Sequence, residues 1–213
     1  FTNLHGGLEN PMHIGIAKTI NRHYQQLMMS IAMICGVVFG VGMFTTMFSM
    51  FRGSDERNSK SIFVFGIFIL FLALHNLFTA PYAYTTFLDI NWLWGIRLEY
   101  LFIYLAVMFF LSYMYLLNQH YLQHWIYTIS MLVLTLNIVI TLLSDQVIFE
   151  QLAFYSAFFS IIILLNFAYG FYITLKTKQK YSKLNLYAVV LLCISFIHDF
   201  LLTLHVIDSI HLS

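Results

Sequence analysis

Long apolar runs alternate with short polar breaks along this chain. The runs fall at 27–51, 61–79, 91–117, 125–144, 152–175 and 186–207. Each approaches or exceeds the roughly 20 residues that a helix needs to cross a hydrocarbon layer. Barrel strands would alternate and end after about 10 residues, so the runs read as helices. The breaks are RGSDERNSK, APYAYTTFLDI, NQHYLQH, DQVIFEQ and KTKQKYSKLN. Connections this short join antiparallel neighbours. The pattern predicts an all-α integral membrane fold, an up-and-down bundle of six transmembrane helices over residues 27–213. Residues 1–26 differ in kind: they are polar and hold Gly6, Gly7 and Pro11. They read as the end of an external domain, followed by a short helix entering the membrane.

Loop charge sets an orientation, because Lys and Arg favour the cytoplasmic side. Arg52, Arg57 and Lys60 follow the first run, and Lys176, Lys178, Lys180 and Lys183 follow the fifth. The loops after the second and fourth runs carry Asp89, Asp145 and Glu150 and no Lys or Arg. The first and fifth loops are therefore expected inside, and the N-terminus and Ser213 outside. Trp92 and Trp94 would anchor the outer end of the third helix, and Trp125 the inner end of the fourth.

Polar residues interrupt three of the runs at His75-Asn76, at Arg97-Leu98-Glu99 and at His198-Asp199. A rise of 1.5 Å per residue puts His75, Arg97 and Asp199 at a common height, roughly 20 Å above the inner face. Groups of this kind are costly in a bilayer unless they meet inside the bundle. Arg97 and Glu99 are two residues apart and face opposite ways, so each needs a partner from another helix. Asp199 is the expected counter-charge for Arg97, and a histidine of the second or sixth helix the expected partner of Glu99. His205 shares a face of the sixth helix with His198. Two readings of this core stay open. It is either a structural ion-pair set that fixes helix register or a switch. A metal site on His75, His198, Asp199 and His205, as in an intramembrane lipid hydrolase, or haem on His75 and His198, lacks a recognisable ligand spacing. No cofactor is expected.

Composition narrows the class. Apolar residues make up 61% and charged residues 9% of the chain, against roughly 25% charged in soluble domains. Membrane lipid is thus the expected surroundings. A net charge of +1 gives no reason to expect nucleic acid. Cys35 and Cys193 lie in apolar runs and read as small buried hydrophobes. Gly36 and Gly40 form a GxxxG that permits close helix packing, within the chain in preference to a homodimer. Asn137 and Asn166 are expected to hydrogen-bond between helices. His120 and His124 have the spacing of a metal pair but no third ligand, which favours an interfacial role.

These motifs together resemble a known family. The entry segment GGLENPMHIGIAKTINRHYQQ, the Gly-rich CGVVFGVGMF, the opening GIRLEYLFIYLAVMFFLSYMYLL with Arg97, Glu99 and Tyr100, and the last run LYAVVLLCISFIHDFLLTLHVIDSIHLS are similar to the membrane domain of bacterial seven-transmembrane receptors with diverse intracellular signalling modules. The resemblance covers essentially the whole chain. It implies a sensory domain of the bacterial inner membrane that is not itself an enzyme, with a seventh helix after Ser213. It further implies an external ligand-binding domain upstream and a cytoplasmic output module, such as a diguanylate cyclase or histidine kinase, downstream.

Overall fold

In the computed structural model of the chain, the described residues are 17–51, 56–117, 122–176 and Tyr187. They form five α-helices and one 3-10 turn, with no strand among them. The helices are α1 (Ala17–Phe51), α2 (Glu56–Phe78), α3 (Trp92–Leu117), α4 (His124–Leu143) and α5 (Gln146–Lys176), and the 3-10 turn is Ala83–Thr86. Within α1, α2, α3 and α4 lie stretches long and apolar enough to cross a membrane, at Tyr24–Phe51, Ser59–Phe78, Trp92–Leu117 and His124–Leu143. A shorter apolar stretch in α5 is Phe159–Gly170. The sixth run, with His198, Asp199 and His205, lies outside the described residues.

Three helices begin well before their apolar runs; α2 starts at Glu56, ahead of the run at 61. α1 starts at Ala17, so the short entry helix and the first span are one continuous rod. α5 starts at Gln146, which turns most of the expected loop DQVIFEQ into helix. The reason lies in Phe149, which is fully buried, and in Gln146, whose amide donates to Glu150 Oε1 at 2.7 Å. Gln146 thereby satisfies a carboxylate that is itself buried. His124 opens α4.

Each helix packs on its chain neighbour, and α3 also touches α5. Two devices hold α1, α2 and α3 together. Small residues let α1 and α2 backbones approach: a Cβ on Gly66 would lie 2.8 Å from the Thr46 amide nitrogen and 3.1 Å from the Gly42 carbonyl oxygen. Aromatic pairs then zip α2 to α3 in near-constant antiparallel register. They are Phe65–Tyr113, Phe68–Phe110, Phe71–Phe109 and Phe78–Phe102, with ring centroids 4.8, 5.3, 5.5 and 5.3 Å apart. Gly36 and Gly40, expected at a helix contact, would present a Cβ to nothing within 4 Å among the described residues.

α4 and α5 are joined differently. Ile126, Ser130, Leu134, Asn137 and Thr141 form one buried face of α4. From it the Asn137 amide donates to Ser156 Oγ of α5 at 2.6 Å. Nearer the other end, Asn166 Oδ1 of α5 accepts the Gln123 amide N–H at the start of α4, at 3.4 Å. Both asparagines bridge helices as the sequence led one to expect.

Candidate polar core at the end of the third helix

The opening of α3 sends consecutive polar groups to different neighbours. Arg97 turns towards α4. Its guanidinium donates to the Ser144 carbonyl at 2.9 Å and to the Leu142 carbonyl at 3.4 Å. These oxygens cluster at the C-terminal end of α4, where carbonyls lack intrahelical donors and the helix dipole is negative. Trp94, one turn earlier on α3, places its ring 5.2 Å from the Arg97 guanidinium carbon, a cation–π contact. Arg97 Nε is buried and makes no hydrogen bond among the described residues. Asp199, its expected counter-charge, lies outside those residues.

On another side, α3 meets α2 through the Glu99 main chain. His75 Nδ1 lies 3.1 Å from the Glu99 carbonyl oxygen. A carbonyl can only accept, so Nδ1 carries the proton in this contact. The contact is with the Glu99 main chain, not with the carboxylate for which a histidine partner was expected. The Thr79 hydroxyl, one turn further along α2, donates to the His75 carbonyl at 3.0 Å. Asn76, beside His75, is exposed. Tyr100 completes the set by crossing Phe149 of α5 edge to face, with centroids 5.5 Å apart.

The connection between α2 and α3 is built into the same corner. The Ala80–Pro81 bond is cis and Tyr82 adopts a left-handed φ of 62°, which turns the chain back on itself. Tyr84 then becomes buried and stacks on Phe78 at 4.5 Å. Its ring passes over Gly95 so closely that a Cβ there would lie 2.6 Å from Tyr84 Cζ. Burial pushes the Tyr84 phenol above its usual range, and the nearby Glu99 charge adds to the effect.

The geometry thus gathers His75, Tyr84, Arg97, Glu99 and Tyr100 at one end of the bundle, on helices that are apolar along most of their length. A model of the family described as "7TM diverse intracellular signalling" matches residues 31–213. The chain belongs to this family. It is accordingly a multi-pass membrane domain of a signalling receptor family, and the domain is not itself catalytic. No curated protein and no solved structure matches it. In this member of the 7TM diverse intracellular signalling family, the Arg97–Glu99–Tyr100 opening is the point where α3 engages α4, α2 and α5 in turn.

Sequence reasoning did not single out Tyr84 or Ser144. A tyrosine in a connecting loop carries no special mark, and a backbone carbonyl carries none at all. The Trp94–Arg97 spacing of three residues was the available sign that this guanidinium is held at its own helix end. Among the described residues, no three of His, Cys, Asp and Glu converge on a metal-binding arrangement.

Proposed function

We propose that this chain is the transmembrane sensor of a bacterial inner-membrane receptor, oriented with its N-terminus outside. It couples an external ligand-binding domain ahead of residues 1–26 to a cytoplasmic output module of the cyclase or kinase type beyond Ser213. Residues 27–213 form the transducing bundle of six helices, with a seventh to follow. The observation that carries this reading is the divergence of Arg97, Glu99 and Tyr100 onto three neighbouring helices. A displacement of α3 is felt by all of them, which is what a transducer needs. Loop charge supports the orientation, with Lys and Arg at 52–60 and 176–183 and none at 80–90 or 145–151. His75, Asn76, Arg97, Glu99, His198, Asp199 and His205 are the proposed switch residues.

Two measurements test it. Single cysteines at position 178 should label only from the cytoplasmic side of intact cells, and labelling from outside would reverse the orientation. In membranes holding the full-length protein, output activity should change when the external part is removed, and Arg97→Leu should abolish that change. Equal output with and without the external part would overturn the receptor reading.

A further inference from the structure

We infer that Tyr84 is a positioning residue, the bridge by which movement of α1 reaches the opening of α3. The inference rests on the receptor reading for the purpose of that movement and adds the route it takes.

Among the described elements, α1 packs on α2 and on the Ala83–Thr86 turn, and not on α3, α4 or α5. Within this set, a push on α1 reaches α3 through α2 or through the turn. Against α2, Gly42 lies at Leu70 and Thr46 at Gly66. In that antiparallel register Phe78, the last residue of α2, is level with Ile34. Met28 stands about 9 Å further along α1, past the end of α2, and is nonetheless 2% exposed. The turn, which follows α2 and packs on α1, is the described element placed to cover it.

The turn is internally fastened. The Phe87 and Leu88 amides both donate to the Tyr84 carbonyl, at 3.0 and 2.9 Å. The Thr85 amide and hydroxyl both donate to the Tyr82 carbonyl, at 3.0 and 2.9 Å. Its backbone lies close to α1 and α2 but not to α3. Rings make the crossing to α3. Tyr82 meets Trp92 edge to face at 4.8 Å, with Trp92 well exposed. Tyr84 is 1% exposed, lies flat on Phe78, and brings its Cζ edge against Gly95, half a turn before Arg97. A ring stacked on one face and meeting backbone at its far edge has nowhere to yield, so it passes a push on. Such coupling is reciprocal: a push applied at Gly95 must be felt at α1.

Spin-label distance measurements test this on the full-length protein in phosphatidylethanolamine–phosphatidylglycerol vesicles, with its cysteines replaced by serine. Labels at the exposed positions Tyr24→Cys and Leu143→Cys report α1 against α4 at the end of the bundle that holds the turn. Labels at Leu117→Cys and Leu143→Cys report α3 against α4. Gly95→Ala, whose Cβ would lie 2.6 Å from Tyr84 Cζ, should lengthen the first distance by a few ångström and leave the second unchanged. With Tyr84→Ala added, which removes the ring, the first distance should return to its native value. With Tyr84→Phe added, which keeps the ring, the shift should persist. The proposal is overturned if Gly95→Ala leaves the first distance unmoved, if the shift survives Tyr84→Ala, or if both distances shift together. Gly95→Ala with and without Tyr84→Phe decides the matter even where the Tyr84→Ala protein does not fold. The distances are read without any output activity, so a failed receptor assay and a failed bridge are told apart.

Discussion

Arg97 of α3 donates to the backbone carbonyl of Ser144, just past the end of α4, at 2.9 Å. The acceptor is main chain, so no side-chain change at 144 removes it. The Ser144 hydroxyl is occupied elsewhere, on the Ile140 carbonyl at 2.6 Å. Hydrogen bonds from a charged donor contribute about 1.5–3 kcal/mol, so Arg97→Leu should lower stability by about that amount. Arg97→Lys should recover part of it, because an ammonium keeps the charge but not the forked geometry. Thermal unfolding of the purified protein in detergent checks both. A melting curve unchanged by Arg97→Leu would show that the guanidinium merely reaches for headgroups.

The glycines should divide into two classes. Gly66→Ala and Gly95→Ala place a Cβ against the Thr46 backbone and the Tyr84 ring respectively, and overpacking of this kind costs about 1–3 kcal/mol. Gly36→Ala and Gly40→Ala meet nothing within 4 Å among the described residues. There the gain in helix propensity, up to about 1 kcal/mol, should leave stability unchanged or raised. Unfolding midpoints of the four variants decide the matter.

His75 offers a narrower test. Its contact with the Glu99 carbonyl at 3.1 Å needs a ring N–H donor. A neutral hydrogen bond contributes about 1 kcal/mol net, so His75→Phe should lose at least that much. His75→Gln, which retains an amide donor, should lose less. Equal losses for both would point to ring shape in place of the bond.

Alkaline pH should act through Tyr84. Its phenol titrates above the ordinary tyrosine range in the folded protein, through burial and then through the Glu99 charge. An unfolded tyrosine ionises near pH 10. The fold thus favours the neutral phenol, and this contribution is complete below that pH and is lost as pH rises above it. Tyr84→Phe should flatten the fall in melting temperature between neutral and strongly alkaline buffer. An unaltered slope would mean that the phenol is not held neutral by its surroundings.

The described helices were legible from run length, save for where they start. Asn137 and Asn166 announced their bonds because a lone amide in an apolar run must find a partner. Three features were hidden for physical reasons. The carbonyls that hold Arg97 have no side-chain signature. The early start of α5 rests on the burial of Phe149, while its neighbours Asp145, Gln146 and Glu150 look like a loop. The contact between α1 and α2 is made at Gly42 and Gly66, and Gly66 stands alone among bulky residues with no motif around it. His198, Asp199 and His205 fall outside the described residues.

The unbroken course of α1 has a mechanical meaning. Its 35 residues form a rod about 52 Å long, well beyond the roughly 30 Å of a hydrocarbon layer. The tight approach of Gly42 to α2 lies about 38 Å from the Ala17 end and about 14 Å from the Phe51 end. Further along, the Ser59 hydroxyl of α2 donates to the Ser49 carbonyl of α1 at 2.6 Å, so the rod is held along α2 and not at a single point. A displacement of one end of so stiff a length is felt at the other, and α2 goes with it.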